Sequence, residues 1–491
     1  MSAIRATIAL AATGQAFITL AAFGLLQPWV MLVVVVAAFC AARWLPQLPD
    51  SSAPGDAAAS WYLFLPFLFL LPLALYPPVA FDETCYHLPF VDAIAKSGAI
   101  VFRTDFRFPV FPLLHEILCV PAFLIGGATA THLIALAETA LLLGLVLAWP
   151  KEEKTARCLA AALVIGNPIL VQLGTVTYVD VALALFIAAG FYCLDDERFL
   201  AAGFLLGTAA SVKYLGLFFV VAGVFVARRA IARYTAGAAA GMLPMYGVLL
   251  ALTGDPLFPY LKPSIWVLPP VPRPASEKVI GALRLLWDIT FARARVNWQP
   301  PYSPLFALAI VMVVFKWGGT RLRIITILYL AVFTFLPQDS RYLLPLLPLV
   351  SLAAARRWER WRVPLAAISI AIAIAYAGFR MVRQGMPNDR YLDERIPELR
   401  ALRMRGAGPV YQCGAEQLKF FGGSELAGDH AGPWAYSRMM GRDLQASGFR
   451  YLLVSKRACP AEWQLRTVRP GWQRVYEDRA AILWGIQPAR R

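Results

Sequence analysis

The chain has 491 residues, 59% of them hydrophobic and 15% charged, with a formal net charge of +16. Soluble globular proteins carry about a quarter charged residues, so this deficit excludes an ordinary soluble domain and points to a membrane protein. The positive charge is not a nucleic-acid footprint: it falls in short groups between apolar runs, such as Arg228, Arg229 and Arg233 or Arg356, Arg357, Arg360 and Arg362, without the interleaved aromatics of a single-strand groove.

Apolar runs near the ~20 residues that cross a bilayer as a helix recur along the chain, and the short alternating segments of a membrane β-barrel do not. The expected fold class is an all-α polytopic membrane protein of about 13 transmembrane helices with a small C-terminal α/β domain. The spans are placed at 7–26, 28–45, 60–78, 129–149, 156–174, 180–194, 199–212, 214–227, 232–252, 303–317, 323–336, 341–355 and 363–380. The first reads as an uncleaved helix, since its apolar stretch runs to Leu26 and a second follows almost at once. The short pair 199–212 and 214–227 reads as half-length helices meeting at Lys213.

With the N-terminus in the cytoplasm, alternation puts each basic group inside, as the positive-inside rule asks. It puts segments 79–128 and 253–302 outside, together with the tail from about residue 384. The expected domains are therefore a transmembrane domain over 1–383 and a periplasmic α/β domain over 384–491, in a bacterial inner membrane. Within the first outer segment, "PVFPLLHEILCVPAFLIGG" (109–127) is apolar but Pro-broken, and reads as a helix along the outer interface. In the tail, "YLDERIPELRALRMRG" and "WAYSRMMGRDLQASG" read as helices. "GPVYQCG", "RYLLVSK", "WQRVYED" and "AAILWGI" read as strands. Cys413 and Cys459 share that domain; an oxidising compartment would let them pair if their Cα atoms approach within bridging distance.

Ionisable groups at a membrane boundary are costly and are site candidates by default. Asp82 and Glu83 follow a Pro-Pro exit from a span and precede "TCYHLPF", with Tyr86 and His87 close behind. Two adjacent acids in unlike environments can have their pKa values pushed apart, one acting as base and the other orienting or binding. Asp180, in "GTVTYVDVALALF" with Tyr178, opens the next span on the outer side, as a helix N-cap, as part of an active site, or as both. If Asp82 and Asp180 meet, they offer only oxygen ligands, which suit Mg²⁺ or Mn²⁺. Lys213 and Arg341 lie at the same face; Arg341 opens its span where a positive-inside bias would not put it. Together they suit a phosphate. His115 and Glu116, in "LLHE", are weaker candidates to line the same cavity.

"FDETCYHLPF", "FPLLHEILCVPAFLIGG", "TYVDVALALF", "GTAASVKYLG", "TGDPLFPY" and "RYLLPLLP" occur in that order. In this order and sidedness they resemble polytopic GT-C-fold glycosyltransferases, of the bacterial kind related to protein O-mannosyltransferases and lipid A aminoarabinose transferases. The resemblance covers roughly residues 60–355. It implies transfer of a sugar from a polyprenyl-phosphate donor to a lipid, glycan or protein acceptor at the periplasmic face. Asp82 then matches the first-loop catalytic acid, Glu83 its neighbour and Asp180 the second-loop acid; Lys213, Arg341 and Tyr342 match positions at the lipid phosphate. The readings from other classes are a transporter or lipid flippase, and a catalytically inactive membrane scaffold. The expectation on which the enzyme reading depends is that positions 82, 180 and 341 fold into one pocket.

Overall fold

The computed structural model describes residues 1–44, 58–262, 264–266, 274–317, 319–429 and 434–486. The chain divides into two compact units. One comprises Met1–Leu75, Pro112–Gly247 and Val271–Arg383; the other comprises Tyr76–Phe111, Val248–Pro270 and Gln384–Arg491.

The first unit is helical throughout. Four helices are long and apolar enough to cross a membrane among the described residues: Ala3–Ala22, Leu114–Leu147, Arg228–Thr253 and Glu359–Gln384. A bent pair, Pro304–Phe315 and Thr320–Phe335, adds a fifth if counted as one span. The thirteen spans expected from apolar runs are therefore not found as thirteen full-length helices, because several runs are divided by residues that stop a helix. Asn167 separates Lys154–Ile165 from Pro168–Leu173. Gly126 and Gly127, the latter at φ 68°, break Leu114–Leu147 where the interfacial segment gives way to the next expected span. Lys213, extended at φ −159° and ψ 140°, ends Phe199–Val212, and Gly216–Val226 follows.

Small residues let two helices of this unit approach until their backbones touch. A Cβ on Gly203 would lie 2.0 Å from the Tyr234 carbonyl oxygen, and one on Gly207 would lie 2.3 Å from that of Ala238. In return, a Cβ on Gly237 would meet the Leu200 carbonyl at 2.0 Å, and one on Gly241 the Phe204 carbonyl at 2.3 Å. These are two interlocking small-xxx-small pairs, Gly203/Gly207 and Gly237/Gly241, the packing that serves where lipid removes the hydrophobic drive between helices. Gln15 adds a tie from the first helix, its Nε2 donating to Gly241 O at 2.7 Å. Since Lys213 is the residue after Phe199–Val212, this packing sets its position. Gly207→Leu is expected to abolish recovery of monodisperse protein on detergent gel filtration, because the obstruction is backbone and cannot swing aside. A normal elution profile would refute the packing.

The second unit holds a five-stranded sheet: β1 (Val410–Cys413), β2 (Leu426–Ala427), β3 (Tyr451–Ser455), β4 (Gln473–Glu477) and β5 (Ala481–Gly485), in the order β2-β1-β3-β5-β4. β1 runs parallel to β2 and β3, and β5 runs antiparallel to β3 and β4. Successive side chains alternate between two cores, as the two-residue period of a strand requires. Tyr411, Leu452 and Val454 pack with Trp463 and Met439 on one face. Val410, Leu453 and Leu483 pack with Leu399 and Leu418 on the other. Four strands are those read from the sequence; β2, at two residues, carries no pattern long enough to see. The expected helix over "WAYSRMMGRDLQASG" shrinks to Tyr436–Met439, ended where Met440 turns extended and Gly441 takes φ 72°. Cys413 and Cys459 are disulfide-bonded with Cα atoms 5.2 Å apart.

Candidate functional site

The sequence-nominated residues fall into two groups, one in each unit. In the first unit Asp180, Lys213 and Arg341 come together from three distant chain positions. Asp180 is the first residue of the helix Asp180–Asp195 and is completely buried. It is not the N-cap: that position is Val179, and no side chain caps this helix. The Asp180 carboxylate is committed elsewhere. Lys213 donates to its Oδ1 at 2.8 Å, and Arg341 Nη1 lies 3.7 Å from its Oδ2. The helix break makes the first contact, since an extended Lys213 projects away from the helix axis.

Two tyrosine rings frame the cations. Lys213 Nζ sits 4.1 Å from the centre of the Tyr342 ring, and the Arg341 guanidinium carbon sits 4.9 Å from that of Tyr178 and 5.5 Å from that of Tyr342. Ring faces attract cations, so the two tyrosines help hold these charged ends in place. The Lys213 side chain is 25% exposed against 7% for Arg341 and none for Asp180. Of the three, the lysine is the most exposed and the aspartate lies deepest.

Sequence reasoning missed Asp339. Its Oδ1 accepts from the Arg341 backbone N–H at 3.2 Å, and its Oδ2 accepts from Arg341 Nε at 2.9 Å. It is also the cap of the 3₁₀ turn Ser340–Leu346 that presents Arg341. Asn297 donates to Oδ2 at 2.8 Å and Gln299 at 3.4 Å. Burial pushes the Asp339 carboxyl above its usual range, against the opposing pull of Arg341 and Asn297. The signal in "PQDSRY" was an acid two residues before an arginine, at a position that caps a turn.

In the second unit Asp82 and Glu83 differ as expected of unlike neighbours. Glu83 is fully buried and accepts from the Ala80 N–H at 3.2 Å, whereas Asp82 is partly exposed. Asp82 immediately precedes a π-helical turn, Glu83–His87, a widening often found at functional sites. Tyr86 and His87 lie on that turn with ring centres 4.3 Å apart, and Phe108 and Phe111 pack edge-on against Tyr86. His115 and Glu116 are buried in the first unit. His115 Nδ1 is hydrogen-bonded with Glu138 Oε1 at 3.1 Å, and Cys119 Sγ lies 3.6 Å from His115 Nε2, so this histidine is engaged by its own helix and by the helix beyond the Gly126–Gly127 break.

Among the described residues no group of three or more His, Cys, Asp or Glu side chains is arranged to hold a metal ion. Asp180 fits Mg²⁺ or Mn²⁺ poorly, because two cationic side chains already face its oxygens.

Also in the second unit, Asp105 is gripped by Arg103 at 2.9 Å and by Lys419 at 3.0 Å. Burial alone would raise the Asp105 carboxyl; hydrogen bonds from Arg103 and the Lys419 ammonium outweigh it and hold the group below its ordinary value. A carboxyl so depressed stabilises the fold above its unfolded pKa, near 3.8, and loses that contribution as pH falls through the folded value. Asp105→Asn is expected to lower the thermal midpoint at pH 7, with the gap to wild type closing as pH falls below about 3.8. A gap independent of pH would refute the ionic role.

The architecture, a polytopic helical unit with an α/β unit built partly from the tail, is that of a GT-C-fold membrane protein. The structures of ArnT from Cupriavidus metallidurans, in the apo state and bound to undecaprenyl phosphate, align with TM-scores of 0.56 and 0.55 at 12% identity, covering 88% of this chain and 98% of theirs. Residues 127–246, which include Asp180 and Lys213, match the model of the dolichyl-phosphate-mannose-protein mannosyltransferase family. Residues 388–484 match a family model described as SF2091/S2213. The Shigella flexneri protein SF2093/S2215, itself uncharacterized, is 28% identical over 142 residues, 28% of this chain and 71% of its own length.

Proposed function

We propose that the chain is a membrane glycosyltransferase that moves a sugar from a polyprenyl-phosphate donor to a lipid, glycan or protein acceptor at the periplasmic face. The observation that carries the reading is the convergence of Lys213 and Arg341 on Asp180, with Asp180 and Lys213 lying in the region that matches the mannosyltransferase model. Two cations framed by aromatic rings at a helix start suit a lipid-borne phosphate: arginine offers a planar fork and lysine a point charge. The fold shared with ArnT, which has been solved with undecaprenyl phosphate bound, supports the same donor class.

In this reading Asp82 is the base. It takes the proton of the acceptor hydroxyl as that oxygen attacks the anomeric carbon. The bond from that carbon to the phosphate oxygen breaks, and its electron pair leaves with the lipid phosphate, whose growing charge Lys213 and Arg341 stabilise. One displacement with one base inverts the anomeric centre. Asp180 holds the two cations in place between turnovers. The positive-inside distribution of basic residues supports a cytoplasmic N-terminus and a periplasmic tail.

The test incubates membranes containing the full chain with undecaprenyl-phosphate sugars, hexoses and pentoses in turn, and measures free undecaprenyl phosphate. Release with at least one donor, abolished by Arg341→Ala, is expected. Transbilayer movement of intact donor without release would replace this reading with a flippase. No release and no movement with any donor would leave a scaffold.

A further inference from the structure

We propose that Asn297 is a positioning residue for the donor phosphate: acting through Asp339, it fixes the guanidinium of Arg341 in the direction from which it meets the anion. The proposal rests on Arg341 as a phosphate ligand. Asn297 comes from the segment "RARVNWQPP", more than forty positions before Arg341, yet its Nδ2 lies 2.8 Å from Asp339 Oδ2. That same oxygen accepts from Arg341 Nε at 2.9 Å. The amide therefore pins the carboxylate that orients the guanidinium.

The backbone around Asn297 is held at a cost that needs an explanation. Asn297 and Trp298 are consecutive non-glycine residues in the left-handed region, at φ 61° and 57°. Asparagine tolerates that region better than most residues, but for a tryptophan it is an outlier. Arg293 holds the turn shut from behind, donating to the Trp298 carbonyl at 2.8 Å and to the Gln299 carbonyl at 2.8 Å. What the strained turn delivers is the pair of amides, Asn297 and Gln299, on one carboxylate. A carboxylate free to rotate would let Arg341 swing between Asp180 and Asp339; one locked by the amides leaves it a single setting.

Asn297→Gly is the informative variant. Glycine accepts φ near +60° more easily than asparagine, so the turn survives while the amide is lost. The probe is undecaprenyl phosphate, titrated against the purified full chain in detergent. Asn297→Gly should weaken its binding about tenfold, the lower end of what one hydrogen bond to a buried charge supports, with an unchanged thermal midpoint. Asn297→Asp, which sets a second carboxylate against Asp339, should weaken it further. In an Arg341→Lys background Asn297→Gly should have no added effect, since the fork it orients is gone; in a Lys213→Gln background its full effect should remain.

Unchanged affinity in both Asn297 variants, or a thermal midpoint that falls while affinity holds, would overturn the positioning role and make Asn297 a structural staple. Equal effects in the two backgrounds would overturn it too. Absence of undecaprenyl phosphate binding by the wild-type chain is a different result, since it removes the phosphate reading of Arg341 itself.

Discussion

Asp82→Asn is expected to stop sugar transfer while leaving the affinity for undecaprenyl phosphate unchanged. Asparagine matches aspartate in size and keeps one acceptor oxygen, so what disappears is the ability to take a proton. General-base assistance is worth roughly 10² to 10⁴ in rate, and the loss should fall on kcat rather than KM, because the base acts only as the acceptor oxygen attacks. The neighbouring Glu83 supplies the control. It is fully buried and accepts from the Ala80 backbone N–H, an arrangement that holds the chain entering the π-turn. Glu83→Gln should therefore act mainly on the thermal midpoint, with transfer per folded molecule retained within a few-fold. The measurement is initial rate of undecaprenyl phosphate release, normalised to folded protein, alongside probe affinity. Should Asp82→Asn turn over at the wild-type rate, the base lies elsewhere; should the two variants exchange effects, Glu83 takes the role.

The parts of this molecule legible in the sequence are those where one residue's chemistry conflicts with its setting. Arg341 at an outer helix end and Lys213 between two apolar runs stood out because a bilayer tolerates neither without a reason, and both are found on Asp180. Strands β1, β3, β4 and β5 were visible because their alternation is a property of the strand alone. What was hidden depends on partners far along the chain. Asp339 and Asn297 are ordinary polar residues in polar loops, and nothing local in "VNWQP" tells of an aspartate forty positions on. The cap reading of Asp180 was sound on propensity, but Asp180 is the first residue of the helix itself and its carboxylate turns to Lys213 and Arg341 instead. The interlocking glycines were legible in principle, as G-x-x-x-G at 203–207 and again at 237–241, and mark a backbone-to-backbone helix contact. Span counting fared worst, because proline, glycine and asparagine divide apolar runs that hydropathy treats as continuous.

Removing the carboxylate of Asp180 should produce the largest loss of stability of any single change at this site. Asp180→Asn leaves Lys213 and Arg341 beside a neutral amide in a buried place. Breaking a buried pair by deleting one partner costs about 3–5 kcal/mol, since the remaining charge stays desolvated. Arg341 keeps the Asp339 carboxylate at 2.9 Å, so the penalty falls chiefly on Lys213, which loses its partner at 2.8 Å and, at 25% exposure, can move only part of the way to water. A sharp fall in the thermal midpoint is expected, with partial recovery in Asp180→Asn/Lys213→Met, which removes the stranded charge along with its partner. The decisive readout is what the ligand does. A ligand that binds only the folded chain raises its apparent stability by mass action, and a phosphate entering the Asp180→Asn variant supplies the missing counter-charge. Undecaprenyl phosphate should thus raise the midpoint of this variant by more than it raises that of wild type, where Asp180 already competes for both cations. A shift equal to or smaller than that of wild type would mean that the two cations do not face the donor phosphate, and that Asp180 holds them for the sake of the fold alone.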